Sequence, residues 1–264
     1  MNAIRTAGLT ALACLAAPVC VASAQGAHDS AVVVPGDPRL DARRLVPHRA
    51  TWRVDVHDST GGTTMQGFWT DTWTRSVESG QPVIVFHQLF VDTTGTILMD
   101  NETVYDAATL GGIRATQTAP LMGARATYRY AGDTVSGTLR PSTGTEARSF
   151  RVVFREPAWD PQLAVSILFP LERLPEGGGI RYPFWNQGPG GDVAWRHVRV
   201  DSTSSAAGAR GAALMHVTVT ALNVRVRLRQ SPTPPYFPWF VIERPGLKRE
   251  WTLLDWQPFT TSRR

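Results

Sequence analysis

Trp69, Asp71 and Trp73 alternate through one short segment, and a period of two places all three side chains on one face of an extended strand. Two indole rings beside a carboxylate form a binding chemistry. The rings pack on apolar bodies or on the C–H faces of sugars, and the carboxylate accepts hydrogen bonds from hydroxyls. Trp52, Phe86, Phe90 and Trp195 extend that surface if their strands curl together. The competing expectation is that these rings fill a concave core and leave Asp71 at its wet rim. Asp100 and Glu102 also share a strand face, as a carboxylate pair or as hard oxygen ligands for calcium. Paired carboxylates are common on exposed β faces, and the plain reading of these two is surface.

The inventory for catalysis is thin. The six histidines, His28, His48, His57, His87, His197 and His216, lack both the His-x-x-x-His and the Glu-x-x-His spacing of a metal site. No Gly-x-Ser-x-Gly elbow is present. Gly188-Pro189-Gly190-Gly191 matches neither a phosphate-binding loop nor a dinucleotide fingerprint. The residues therefore point to a non-catalytic protein with no cofactor and no metal.

Both cysteines, Cys14 and Cys20, fall in an N-terminal stretch with the build of an export signal. Arg5 is its positive end, Ala7 to Val21 its apolar run, and Ala22-Ser23-Ala24 a small-residue cleavage site ahead of Gln25. Cleavage is expected after Ala24, giving a periplasmic or secreted chain. Bulky Val19 and the break at Pro18 argue against lipidation of Cys20. The processed chain would hold no disulfide, thiolate nucleophile or cysteine metal site, and would stay folded through packing and hydrogen bonds. No later segment approaches about twenty apolar residues, so contact with a membrane is peripheral at most. Cleavage removes one arginine and no acid, leaving 26 basic against 22 acidic residues, a net of +4. That spread of charge does not suit a nucleic-acid partner. Lys248 is the sole lysine; genome composition accounts for the preference for arginine more simply than anion recognition does.

Residues 25–48 mix Pro35, Pro38, small residues and charges, and read as an N-terminal tether with one short apolar contact at Ala31 to Val34. From Arg49 the chain alternates: Trp52, Val54 and Val56 face one way, Arg53, Asp55 and His57 the other. Turn residues at 59–62, 78–81, Gly95, Gly111-Gly112, Gly132-Asp133 and 142–144 cut the sequence into strands near 63–75, 82–92, 97–105, 113–117, 125–130, 134–140 and 150–155. The segment Pro82 to Asp92 is apolar in both phases, as in a strand covered on both sides. Strands resume near 192–201, 213–221, 222–229, 237–243 and 249–256. In one of them Arg225, Arg227 and Arg229 alternate with Val224, Val226 and Leu228, a basic ladder that is either an anion strip or a solvated face discouraging edge aggregation. One segment breaks the rhythm: Asp160 and Pro161 open a short helix whose apolar residues Leu163, Ala164, Ile167 and Leu168 end before Pro170. The expected fold is all-β, a large curved antiparallel meander forming a half-barrel or open barrel, with one short helix. It is read as one β domain over residues 49–264 behind the signal (1–24) and the tether (25–48).

The stretch Ala158 to Tyr182, the strand Asp192 to Asp201 and the closing pair Trp239 to Arg244 and Leu247 to Leu254 resemble exported bacterial proteins of domain-of-unknown-function family 3108. Those proteins are similar to periplasmic lipoprotein carriers and related β half-barrels. Asp160, Pro170-Leu171 and Gly177 stand where that family has an Asp-led helix, a Pro-Leu step and a glycine before the second set of strands. The chain departs from the pattern at Pro232 to Pro238, an insertion expected to push the last hairpin away. The resemblance implies a carrier-like fold and an envelope location, and transfers no catalytic residue.

Two functional classes follow. In one, the curved sheet holds a lipid-like or other apolar ligand in the cell envelope, at Trp52, Trp69, Asp71, Trp73, Phe86, Phe90 and Trp195. In the other, the aromatic face binds polysaccharide or peptidoglycan, or docks a protein of an envelope assembly.

Overall fold

The computed structural model describes residues 31–141, 146–155, 157–160, 177–185, 193–205, 213–219, 224–230 and 236–259. Their regular elements are strands apart from two single-turn 3-10 segments, Ala42–Arg44 and Pro120–Met122. The strands are β1 (Ala31–Val32), β2 (His48–Asp58), β3 (Thr63–Glu78), β4 (Gln81–Asp92), β5 (Ile97–Asp106), β6 (Gly112–Ala119), β7 (Ala124–Ala131) and β8 (Thr134–Arg140). They continue with β9 (Arg148–Val153), β10 (Gly179–Trp185), β11 (Val193–Ser205), β12 (Ala213–Val219), β13 (Val224–Gln230), β14 (Trp239–Arg244) and β15 (Leu247–Pro258). All belong to one sheet in the order β1-β10-β11-β12-β13-β14-β15-β2-β3-β4-β5-β6-β7-β8-β9. Every neighbouring pair is antiparallel except β1 with β10. The sheet is not closed into a barrel. The all-β antiparallel meander expected from the period-two pattern is the fold observed.

Hairpins hold register because their turns carry their own hydrogen bonds. Asp58 Oδ1 accepts from the backbone N–H of Thr60 (2.8 Å) and Gly62 (3.1 Å) and from the Thr60 hydroxyl (2.6 Å). Asp92 repeats the device with the Thr94 N–H (2.8 Å), the Thr96 N–H (2.9 Å) and the Thr94 hydroxyl (2.6 Å). Each aspartate thus folds the backbone over its own side chain. Gly61 and Gly95 supply the left-handed residue, at φ +83° and +86°.

The sheet curls until its inner face meets itself. Ile84 and Phe86 of β4 and Tyr105 of β5 share one core with Ile180, Tyr182 and Phe184 of β10 and with Val198 and Val200 of β11. These strands are far apart in the ladder, so only curvature brings them together. β10 is covered on both sides. In the phase opposite to that core, Trp185 stacks on Phe150 at 5.6 Å and meets Tyr128 edge-on at 4.9 Å, on β9 and β7.

Three features differ from the sequence reading. The expected tether is packed over its described part, residues 31–48: Val33, Leu40, Ala42 and Leu45 are buried in the β10 core. Their irregular spacing carries no period, so they read as loop, yet each finds an apolar site. Trp159 Nε1 donates to the Val33 carbonyl (3.0 Å), Arg75 Nη2 to the Ala42 carbonyl (2.6 Å) and the Tyr236 hydroxyl to the Arg44 carbonyl (3.0 Å). Second, β10 is a strand that the sequence reading leaves unassigned; it is short and contains Pro183. The Pro183 carbonyl accepts from the Trp159 N–H (2.9 Å), on the edge away from β11. The missing proline N–H would point to that same edge, so the ladder to β11 loses nothing. Third, the connection before β14 does not push the last hairpin away. β14 pairs with β13, and the Pro238 carbonyl accepts from the Leu253 N–H (3.0 Å). The helix expected after Asp160 falls at residues 161–170, outside the described residues.

Gly67 on β3 is a close-approach position. A Cβ there would lie 2.4 Å from the Val91 carbonyl oxygen and 2.7 Å from the Phe90 ring. Gly67→Ala must displace backbone as well as a buried ring, so a loss of about 1–3 kcal/mol is expected. A urea midpoint unchanged from the parent would contradict this packing.

Candidate functional site

Pairing across β3 to β6 aligns four polar side chains in a transverse row on the concave face. The registers are Asp71 with Gln88, Gln88 with Asn101, and Asn101 with Gln117. All four are buried, at 9, 5, 2 and 4% exposure. Asp71, Gln88 and Gln117 each interrupt an apolar phase of their own strand, flanked by Trp69 and Trp73, by Phe86 and Phe90, and by Ala115 and Ala119, while Asn101 lies between Met99 and the buried Thr103.

The row is a seam between apolar cores. On one side Trp73 stacks on Phe86, with ring centroids 3.9 Å apart and planes at 13°, inside the core shared with β10. On the other side Trp52, Phe90, Met99 and Trp251 form a second core, with Trp69 half-buried against it. Trp69 lies 5.6 Å from Phe90 and 6.5 Å, edge-on, from Trp251. Trp52 Nε1 donates to the Phe237 carbonyl (3.0 Å), which fixes its ring.

Hydrogen bonds inside the row leave it incompletely paired. Asp71 Oδ1 accepts from Trp69 Nε1 (2.7 Å) and from Gln88 Nε2 (3.2 Å). The Tyr128 hydroxyl donates to Gln117 Oε1 (3.5 Å). Gln88 Oε1, Asn101 Oδ1 and Gln117 Nε2 are buried without a partner. Such atoms cost about 1–3 kcal/mol each when left unpaired, and native folds rarely keep several side by side. Burial pushes the Asp71 carboxyl up to about 7, against the opposing pull of the bonds from Trp69 and Gln88. Apart from the Asp71 carboxyl, the row consists of amides, which neither titrate nor attack and offer hydrogen bonding alone.

Six of the seven residues singled out from the sequence lie on this face. Trp69, Asp71 and Trp73 do project together, but the two indoles enter different cores and Asp71 sits in the seam rather than at a wet rim. Trp52, Phe86 and Phe90 are core residues beside it. Trp195 is elsewhere: it pairs with Pro183, in the phase opposite to Ile180, Tyr182 and Phe184, with the Arg181 guanidinium 4.6 Å from its ring centre. Bulk hydrophobicity misled the grouping of Trp195, since only register fixes its face. Gln88, Asn101 and Gln117 were missed. Their signal is a polar residue in the apolar phase of three successive strands, and only pairing shows that they align.

The remaining sequence candidates are occupied structurally. Asp100 pairs with His87 Nε2 (2.7 Å) and Glu102 with Arg114 Nη1 (2.8 Å), so each carboxylate of that pair has its own base. In the arginine ladder, Arg227 bonds Glu243 (2.5 Å), and the guanidinium groups of Arg227 and Arg229 lie 5.9 and 5.6 Å from the Trp239 ring. Asp160, 1% exposed, accepts from the hydroxyls of Tyr105 (3.4 Å) and Tyr130, which ties the segment before β10 to β5 and β7. Burial, reinforced by that carboxylate, raises both tyrosines well above their ordinary range.

Comparison with protein-family models and with curated proteins finds no match to this chain.

Asp71 gives the fold a distinctive response to pH. A carboxyl raised to about 7 when folded, against about 3.9 unfolded, stabilises fully below the unfolded value and loses that contribution as pH rises through the folded one. The loss is on the order of 4 kcal/mol between about pH 4 and 7. Asp71→Asn keeps the acceptor for Trp69 and Gln88 without a charge to desolvate. The stability difference between variant and parent, from urea midpoints, should therefore grow in the variant's favour over that interval. A pH-independent difference would contradict the burial of an ionisable group there.

Proposed function

We propose that this protein is an exported, non-catalytic relative of the lipoprotein-carrier-like half-barrels, and that it captures a lipid-like apolar ligand on the concave face of β3 to β6 in the cell envelope. The observation that carries this reading is the buried row Asp71, Gln88, Asn101 and Gln117, unpaired at three atoms and walled by aromatic cores on both sides. A mainly apolar ligand sited there gains from the rings, and any polar group on it supplies partners that the fold withholds. The curvature of a sheet not closed into a barrel and the export pattern of residues 1–24 support the same reading. Glycan recognition is the alternative, and half-buried Trp69 is the indole it would use on this face.

Trp69 is the residue to test. Half-buried at the seam, it loses less packing on truncation than Trp73, whose removal takes out a fully stacked ring at about 3–5 kcal/mol, although the Trp69 bond to Asp71 is lost with it. Native mass spectrometry of protein purified from its own host should show a co-purified apolar compound. Trp69→Ala should lose most of it while still unfolding cooperatively. A parent protein that carries no such compound but retains glycan would overturn the reading, as would full retention in the folded variant.

A further inference from the structure

The excess positive charge of the chain is local. Residues 25–264 hold 26 basic and 22 acidic side chains, and six of those bases against two of those acids fall between residues 124 and 155. The remaining 20 and 20 balance. Four of the six arginines share one face of β7 to β9. Arg125 stands directly opposite Arg140, Arg129 opposite Ser136, and Ser136 opposite Arg151. Between these two rows run Thr127, Thr138 and Ser149, with the Thr127 and Thr138 hydroxyls 2.8 Å apart. The face points outward. Ala126, Tyr128 and Val135 occupy the opposite phase, buried in one core with Trp185, whereas all four arginines are exposed.

Elsewhere on the sheet, bases meet carboxylates: Arg53 with Asp55, Arg114 with Glu78 and Glu102, Arg227 with Glu243, and Lys248 with Glu250. Among the described residues, Arg125, Arg129, Arg140 and Arg151 have no such partner. Like charges set directly opposite one another across a ladder oppose folding, and Arg125 with Arg140 is such a pair. Four guanidinium groups without a carboxylate, on a patch about 14 Å long and about 10 Å wide, suit phosphate groups, which they grip with paired N–H donors. An aliphatic side chain stands bare at each end of the patch. Val153 continues the outward phase of β9 past Arg151, and Leu121 lies in the turn from β6 to β7, just before Arg125. They are exposed at 61 and 63%.

We infer that the outer face of β7 to β9 docks on an anionic lipid bilayer. The arginines take the lipid phosphates and lay their apolar stems along the head-group boundary, while Leu121 and Val153 settle towards the acyl chains. A soluble polyanion would satisfy the arginines and leave both aliphatic side chains in water. A second copy of the chain fits badly, because a self-complementary contact of this face sets arginine against arginine. The docking face uses no interior residue, so the inference stands apart from the capture reading.

Co-sedimentation of the full-length processed protein with vesicles tests this. Vesicles of phosphatidylcholine carrying about 30% phosphatidylglycerol are compared with phosphatidylcholine alone, at about 0.05 and about 0.5 M salt. The anionic vesicles are expected to bind about tenfold or more tightly at low salt, and the preference to collapse at high salt, where surface charge is screened. Arg125→Gln with Arg140→Gln, and separately Arg129→Gln with Arg151→Gln, should each weaken binding to anionic vesicles about tenfold. Arg49→Gln with Arg225→Gln removes the same charge from exposed positions elsewhere on the sheet and should change it less than about threefold. Leu121→Ser with Val153→Ser should weaken it about threefold or more. Soluble dextran sulfate should not distinguish that variant from the parent. A cooperative melt confirms that each variant is folded. A parent without preference for anionic vesicles, or a loss in the Arg49 and Arg225 variant equal to that of the patch variants, would overturn the docking face. Unchanged vesicle binding in the folded Leu121 and Val153 variant would overturn the bilayer and assign the arginines to a soluble polyanion.

Discussion

The pairing of β15 with β2 is the constraint on which the rest depends. It runs from Leu247 opposite Asp58 to Pro258 opposite His48, and it joins the last strand of the chain to the first long one. Without it the molecule would be two meanders with separate edges. With it, β10 to β15 and β2 to β9 form one ladder, and the twist inherent in β-structure accumulates across the join. Accumulated twist brings Ile180, Tyr182 and Phe184 over Phe86 and Tyr105. The long sequence separation of this contact carries a loop-closure cost that the apolar burial offsets.

A sheet wrapped on itself must decide what its inner face holds. Most of that face is apolar and packs in the ordinary way: Trp73 on Phe86, Phe240 on Trp251, Phe150 on Trp185. One exception is a transverse row, besides the buried Asp160 with the Tyr105 and Tyr130 hydroxyls. Three unpaired amide atoms and a desolvated carboxyl side by side are a standing cost to stability, of the sort that clusters where recognition takes place. An apolar replacement of the same shape would stabilise the fold. The row lies between two aromatic cores, so the cost falls in the middle of the packed face.

β10 and the N-terminal segment show how the wrapped end is finished. β10 would be an exposed edge strand with a proline in it. Instead, β1 and Trp159 lie along its free edge, Trp159 bonds Val33, and Trp185 is stacked beneath β9. Asp160, held by Tyr105 and Tyr130, pins the same region to the opposite wall. Covering an edge in this way removes a template for aggregation.

The alternation of Trp52, Val54 and Val56 with Arg53, Asp55 and His57, repeated strand after strand, was enough to establish an all-β meander, because side-chain direction in a strand follows from the backbone alone. The aspartate and glycine turns were legible for the same local reason. So was the shared direction of Trp69, Asp71 and Trp73. The alignment of Asp71 with Gln88, Asn101 and Gln117, the division of the two indoles between cores, and the displacement of Trp195 to another surface were decided by register and curvature. So was the burial of Val33, Leu40 and Leu45, which show no period. These depend on which strand lies beside which and on how far the sheet bends, and such relations join residues too distant in sequence for any local pattern to encode.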